Sequence, residues 1–179
     1  MAHVLLVAAT EIELCGHGGL ACGVGPVEAA SATSRELALR APDAVVHVGL
    51  AGGRDIALGG IVIGSESVYV DLSAAIPVVN RVEPDPRLLS LVREALADEL
   101  VLPIGTSAAV GGVVDRGLRV EAMEGFGVLR ACALAGVPAV EVRAISNDLG
   151  EGDRKRWRIS DALEALGLAL PGTLEAAAQ

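Results

Sequence analysis

The sequence predicts a three-layer α/β/α domain built on a central mixed, mainly parallel sheet. Three observations carry this expectation. Apolar runs too continuous for half-exposed strands recur at 3–9, 43–50 and 138–146, stretches with apolar residues at helical spacing separate them, and Gly or Pro stands at most junctions.

In chain order, residues 3–9, rich in Val and Leu, read as a strand covered on both faces. A short apolar run at 19–24 leads into Gly25-Pro26, with Pro26 at the first helical position. The helix over 27–39 stops at Ala41-Pro42. The strand over 43–50 runs into Ala51-Gly52-Gly53, where the backbone either turns tightly or approaches something closely. Residues 61–70 read as a strand or strand pair interrupted by Gly64. Asp85-Pro86 opens a helix to Asp98, with Leu88, Leu89, Val92 and Leu96 as its apolar stripe. The Gly-rich segment 102–114 combines strand and loop, 121–135 reads as a buried helix ended by Gly136, and 138–146 as a strand rich in Val and Ile. An amphipathic helix over 153–170 closes the fold. No linker, repeat or low-complexity tract interrupts the 179 residues, so one domain is expected over 1–179.

Composition excludes several functions. Asp and Glu number 23 against 14 Lys and Arg, a net charge of -9, which is the wrong sign for a general nucleic-acid binder. Aromatics at 2% also leave no stacking platform for single strands. Cys15, Cys22 and Cys132 cannot all pair and form no C-x-x-C, so they are expected as small buried hydrophobes in a reducing cytoplasm. The N-terminus has no basic cluster, and residues 4–9 fall far short of the ~20 apolar residues of a membrane span, so a soluble cytoplasmic protein is expected. His3, His17 and His47 share no ligand spacing, so no metal site is expected. Gly23-x-Gly25 is followed by Glu28 where a dinucleotide loop needs its third glycine, and neither G-x-S-x-G nor G-x-x-x-x-G-K-[ST] occurs.

Three polar segments stand out. Thr10-Glu11-Ile12-Glu13 follows the first strand, where an α/β sheet places its ligand crevice, although two carboxylates also suit a helix start. Met123-Glu124-Gly125 falls inside an otherwise apolar helix, where a buried carboxylate needs partners. Two vicinal sugar hydroxyls are one such set, and solvent at an exposed helix start is the other. Arg143-Ala144-Ile145-Ser146-Asn147 is the polar exit of an apolar strand. There Arg143 requires an anion or acceptors, while Ser146-Asn147 also fits a turn before Gly150.

Taken together, these segments resemble the nucleoside phosphorylase and nucleosidase superfamily. The correspondence runs through residues 8–13, Gly23-Val24-Gly25-Pro26-Val27-Glu28-Ala29-Ala30, Val48-Gly49-Leu50-Ala51-Gly52-Gly53 and Glu121-Ala122-Met123-Glu124-Gly125. It finishes with Gly136-Val137-Pro138 and Val142-Arg143-Ala144-Ile145-Ser146-Asn147. Within the superfamily, Thr10-Glu11-x-Glu13, Ser146-Asn147 and the tail Asp153-Arg154-x-x-Trp157-x-Ile159-x-x-Ala162-Leu163 are most similar to the nucleosidases that hydrolyse futalosine in menaquinone biosynthesis.

The resemblance implies a nucleoside phosphorylase-like fold and cleavage of futalosine by water to hypoxanthine and dehypoxanthine futalosine. It implies no metal or organic cofactor, and a homo-oligomer whose nucleoside pocket is completed by a neighbouring subunit. It assigns Glu13 to holding and deprotonating the attacking water, Arg143 to a place near that water, and Met123 and Glu124 to the ribose. Ala51, Gly52 and Ser146 are assigned to substrate binding, and Phe126 to the base pocket. Asn147 stands where an Asp is commoner in the nucleosidases. Its amide suits the oxygen of a 6-oxopurine, but an amide is no acid and does not explain the proton delivered to the base. No Arg or Lys precedes Arg35, which favours water over phosphate as nucleophile; Arg54, after Gly52-Gly53, is the objection. The carboxylated aromatic arm that the resemblance implies beyond the ribose needs a cationic or polar pocket. Arg154, Lys155, Arg156 and Arg158 are the densest basic cluster for it, but a solvated helix start is the stronger reading of them, and a packing anchor rather than a stacking wall that of Trp157. The alternatives are a methylthioadenosine/S-adenosylhomocysteine nucleosidase, a 6-oxopurine nucleoside phosphorylase, and a nucleoside-binding protein without turnover.

Overall fold

The structure is a computed structural model that describes residues 2–109 and 117–179. Strands β1 (Val4–Ala8), β2 (Leu20–Ala21), β3 (Ala44–Gly53), β4 (Ile61–Tyr69) and β5 (Arg81–Val82) are followed by β6 (Leu100–Thr106), β7 (Val120–Ala122) and β8 (Ala139–Asp148). The helices are α1 (Pro26–Arg40), α2 (Pro86–Ala95), α3 (Gly125–Ala135) and α4 (Ile159–Ala177), with 3₁₀ turns at Glu11–Leu14 and Arg154–Arg156. The strands form one mixed sheet in the order β2-β1-β3-β7-β6-β4-β5, and β8 pairs with both β3 and β4. Five of the eight pairings among the described residues are parallel.

Those pairings close β3, β7, β6, β4 and β8 into a ring, filled by Ala51, Val62, Ile104, Val120, Ala122 and Ile145. Helices α1 and α3 cover one face over Leu5, Val7, Val45 and Val128. Helices α2 and α4 cover the other over Leu6, Val46, Val140 and Leu166. This is the expected three-layer arrangement, and it explains why β1, β3 and β8 read as continuous apolar runs: both of their faces are covered.

The topology opens a crevice beside β3. One edge of β3 is taken by β8 from Val45 to Gly53. On the other edge β1 pairs with residues 44–47 and β7 with Gly52 and Gly53, so among the described strands residues 48–51 face no strand there. Such a parting of strands is where open α/β sheets bind ligands.

Several elements differ from expectation. β3 does not end at Leu50; it continues through Gly53 because Gly52 and Gly53 admit Asn147 and Ile145, to which a Cβ would come within 3.0 and 2.9 Å. Glu121 and Ala122 are not helical. Val120 and Ala122 alternate into the ring as strand β7, and α3 begins only at Gly125, so Glu124 caps the helix rather than lying inside it. Helix α2 stops at Ala95. The final helix starts at Ile159 because the Arg158 N–H is drawn off to the Ser146 carbonyl at 2.7 Å. It runs past Pro171 to Ala177, with Leu174, Ala176 and Ala177 keeping its apolar face on the core. β8 likewise runs past Ser146 to Asp148. The end of the 102–114 segment, from 110, lies outside the described residues. Cys22 and Cys132 are buried, and burial pushes both thiols up to about 12; Cys15 is only half-buried. Among the described residues no helix is long and apolar enough to cross a membrane.

Candidate active site

Glu13 sits on the 3₁₀ turn that follows β1, 7% exposed, at the parting of the strands. Its Oε2 accepts from the Thr10 backbone N–H at 3.0 Å and the Thr10 hydroxyl at 2.5 Å. Its Oε1 accepts from the Leu50 N–H at 3.1 Å, taking the place of the absent strand on that edge of β3. Three donors therefore fix both carboxylate oxygens. Gly49 makes room for this: a Cβ there would stand 2.9 Å from Glu13 Oε1 and would strike the Arg143 guanidinium.

Glu124, 4% exposed at the N-terminus of α3, is the second buried carboxylate. Its Oε1 accepts from the Gly25 N–H at 3.2 Å, where α1 begins, and its Oε2 from Arg143 Nη1 at 3.4 Å. Burial raises its pKa, and the neighbouring Arg143 charge only partly opposes that rise.

Arg143 is fully buried and does not line the cavity, so the expected position beside the attacking water is corrected to one behind the wall. Strand alternation puts it on the same face as Glu141, whose Oε1 accepts from Arg143 Nε at 2.8 Å while Oε2 accepts from the Ser67 hydroxyl. Arg143 Nη2 lies 2.5 Å from His47 Nε2. A guanidinium only donates, so His47 Nε2 carries the lone pair and its Nδ1–H donates to the Val7 carbonyl at 3.1 Å. Burial works against the Arg143 charge, but Glu141, Glu124 and Glu13 outweigh it and hold its pKa above the ordinary value. Buried ions persist only with such partners.

His47 makes the fold acid-sensitive in a defined direction. Burial, then the Arg143 charge, lower its pKa well below 6.5. Between that ordinary value and the folded value the unfolded chain binds a proton that the native chain does not, so the stability His47 contributes is present above pH 6.5 and lost as pH falls. The limit for one such group is about 1.4 kcal/mol per pH unit. Urea midpoints from pH 7 to 5 should decline less steeply for His47→Gln than for the parent. Glu124 and Glu121, whose raised pKa values act with the opposite sign, are common to both proteins. Equal slopes would refute the neutral histidine.

At the end of β8, Asn147 Nδ2 donates to the Asp148 carbonyl at 3.0 Å and Oδ1 accepts from the Ser146 hydroxyl at 2.7 Å. The Asp148 carbonyl can only accept, which fixes the orientation of the amide. One N–H and one lone pair of Asn147 remain without a protein partner among the described residues.

These groups meet in a cavity of about 250 Å³. Of the residues singled out in the sequence, Glu13, Met123, Glu124, Ala51, Gly52, Ser146 and Asn147 line it. Phe126 does not. Its N–H donates to Thr106 Oγ1 at 2.8 Å in the first turn of α3, and its ring stacks on Tyr69 at 5.5 Å. Arg54 is also absent from the lining. Glu121, Trp157 and Arg154 are among the lining residues that were not assigned to the site from the sequence. Glu121 stands opposite Gly52 in the β3–β7 register, on the face that meets Asn147, and burial followed by the Asp71 charge raises its pKa. Trp157 and Arg154, expected as a packing anchor and a solvated cation, both line the cavity. Among the described residues no three His, Cys, Asp or Glu are grouped to hold a metal ion.

The phosphorylase superfamily model matches residues 3–171. Futalosine hydrolase of Streptomyces coelicolor is 37% identical to this chain over 177 residues, covering 82% of the chain and 74% of that protein. Futalosine hydrolase of Thermus thermophilus is 31% identical, covering 84% and 78%. In fold, the chain superposes on a 5'-methylthioadenosine/S-adenosylhomocysteine nucleosidase from Colwellia psychrerythraea, solved with adenine. The TM-score is 0.87 at 19% identity, over 99% of this chain and 96% of that one.

Proposed function

The chain belongs to the phosphorylase superfamily, and we propose that within it the cavity hydrolyses futalosine to hypoxanthine and dehypoxanthine futalosine, a step of menaquinone biosynthesis. The chain is an N-glycosyl hydrolase; the choice of substrate is the proposed part. The observation that carries it is Asn147 at the end of β8, with one N–H and one lone pair available beside Gly52. A 6-oxopurine offers O6 to that N–H, and N7–H of the departing base donates to that lone pair.

On this reading the reaction breaks the bond between the anomeric carbon and the purine nitrogen through an oxocarbenium-like sugar. Glu13, held by three donors, accepts a proton from a water as that water bonds to the anomeric carbon. Glu124 accepts from the ribose hydroxyls, for which it must be ionised, and Met123 lies against the sugar. Arg143 is a positioning residue: it neutralises Glu124 and Glu141 from behind and touches no substrate. The base leaves with the bonding electron pair and takes its N7 proton from solvent water; Asn147 holds the base and accepts from that N7–H, and as an amide it does not supply the proton.

Hydrolysis is favoured over phosphorolysis by the charge of the lining. It contains Glu13, Glu121, Glu124 and Glu151 against Arg154, and a phosphate dianion entering beside Glu13 would meet like charge. Ile12 and Val24 are 63% and 55% exposed at the cavity rim, which supports a homo-oligomer whose second copy covers them.

In phosphate-free buffer the protein should release hypoxanthine from futalosine, and added phosphate should not accelerate release. Dependence on phosphate would make it a phosphorylase. Faster cleavage of methylthioadenosine would place it with the adenine nucleosidases.

A further inference from the structure

We propose that Arg154, stacked on Trp157 at the edge of the cavity, is the specificity-determining anchor for a carboxylate at the far end of the substrate. This rests on the futalosine reading, in which an aromatic arm bearing a carboxylate extends beyond the ribose, and it names the group that receives that arm.

The argument begins with charge. Among the described lining residues Arg154 is the one cation, facing four carboxylates. Of the neighbouring cations, Arg156 pairs with Glu151 at 2.8 Å and Arg158 with Asp161, and Lys155 does not line the cavity. Glu151 is itself occupied by Arg156 and by the Asp153 N–H at 2.9 Å, and Arg154 has no carboxylate partner among the described residues. An anionic group entering this acid-rich hollow therefore has a single favourable destination.

Geometry then prepares that destination. The Arg154 guanidinium carbon lies 5.4 Å from the centre of the Trp157 ring, and the ring is pinned by its Nε1–H donating to the Glu151 carbonyl at 2.9 Å. Resting on the indole restrains a long side chain that would otherwise lose entropy on binding, and its planar fork suits a carboxylate. The Arg158 N–H to Ser146 carbonyl bond ties the segment after Trp157 back to β8 next to Asn147.

An apolar path leads there from the reacting end. Helix α4 packs against the turn that carries Glu13, with Cys15 Sγ 3.6 Å from the Leu163 carbonyl. Ile12 on that turn, Ile159 at the start of α4 and Trp157 all line the same cavity. A substrate whose sugar lies at Glu13 and Glu124 can thus lay an aromatic arm along apolar side chains and end it in a carboxylate at Arg154.

The test compares three substrates, futalosine, its carboxylate methyl ester and inosine, on the parent, Arg154→Gln and Arg154→Lys. Inosine keeps base and ribose and lacks the arm. For Arg154→Gln, kcat/KM for futalosine should fall about 10- to 100-fold through KM, and the preference for futalosine over inosine should narrow by the same factor. The parent should discriminate against the ester, whereas Arg154→Gln should treat acid and ester alike, and Arg154→Lys should regain part of the preference. Partial misfolding would scale inosine and futalosine cleavage by the same factor, so the preference of the protein that remains active still reports on Arg154. If the parent cleaves futalosine but the preference and the acid-to-ester ratio are the same in Arg154→Gln, the anchor is refuted while the substrate reading stands. If the parent does not cleave futalosine, the substrate reading fails and takes the anchor with it.

Discussion

Glu13→Gln is expected to lower kcat for nucleoside hydrolysis by about 10²- to 10⁴-fold, the range lost when a positioned proton acceptor is removed. The change is nearly isosteric, so its effect reports chemistry more than packing. The three donors around the side chain still allow a small structural cost. Thr10 N–H, Thr10 hydroxyl and Leu50 N–H all point at the carboxylate, and an amide offers one oxygen and one NH₂ to a set that needs two acceptors. Either Leu50 or Thr10 then faces a donor, at a cost of about 1–3 kcal/mol. Thr10→Val separates the two effects. It removes one hydrogen bond but keeps the carboxylate, so it should lose stability with a much smaller loss of kcat. Single-turnover release of the base, with thermal unfolding midpoints beside it, makes the comparison. A Glu13→Gln enzyme retaining a tenth or more of the parent kcat would show that another group activates the water.

Much of this arrangement was legible in the sequence, and the parts that were not have physical reasons. The turn carrying Glu13 was readable because a doubly covered strand ends abruptly in acidic residues. What held the carboxylate was not, since the Leu50 N–H is free only because β1 and β7 leave a gap along β3. Met123 and Glu124 were singled out but set in the wrong element. Strand β7 has three residues, too few for alternation to show against the apolar helix that follows. Arg143 was recognised as needing acceptors. Glu141, two residues earlier on the same face, was not singled out as one of them, and His47 comes from β3, so its approach depends on strand register. Phe126 was misplaced because the start of α3 is set by long-range contacts: Thr106 takes the Phe126 N–H, and the Glu141 carboxylate leaves no space for a Cβ at Gly125. Arg154 read locally as part of a charged helix start, and Trp157 as a packing anchor. They reach the cavity because Arg158 is bonded back to Ser146 and the helix begins later.

Asn147→Asp should reverse the base preference. On the proposed reading the parent amide presents an N–H toward the group at position 6 of the purine, an acceptor in a 6-oxopurine and a donor in a 6-aminopurine. An Asp at this position, ionised or protonated, can turn an acceptor oxygen there, which repels O6 and accepts from the amine. Sites that read a substrate by hydrogen bonds discriminate by up to about 10⁴–10⁵, so even partial exchange should move the ratio of kcat/KM for futalosine against its 6-amino counterpart by about 10² or more. The surroundings sharpen the expectation. The Asp148 carbonyl, 3.0 Å from Nδ2 in the parent, would face a carboxylate oxygen instead of an N–H, while the Ser146 hydroxyl still donates to the other oxygen. One lone pair against another favours the protonated acid, so the new side chain should titrate above the usual carboxylate range and be able to deliver a proton to N7. The variant should therefore gain 6-aminopurine cleavage as well as lose 6-oxopurine cleavage, with the gain declining as pH rises and the acid ionises. Rates on both substrates from pH 5 to 8 measure this. A ratio within about threefold of the parent at every pH would mean that Asn147 does not read the base.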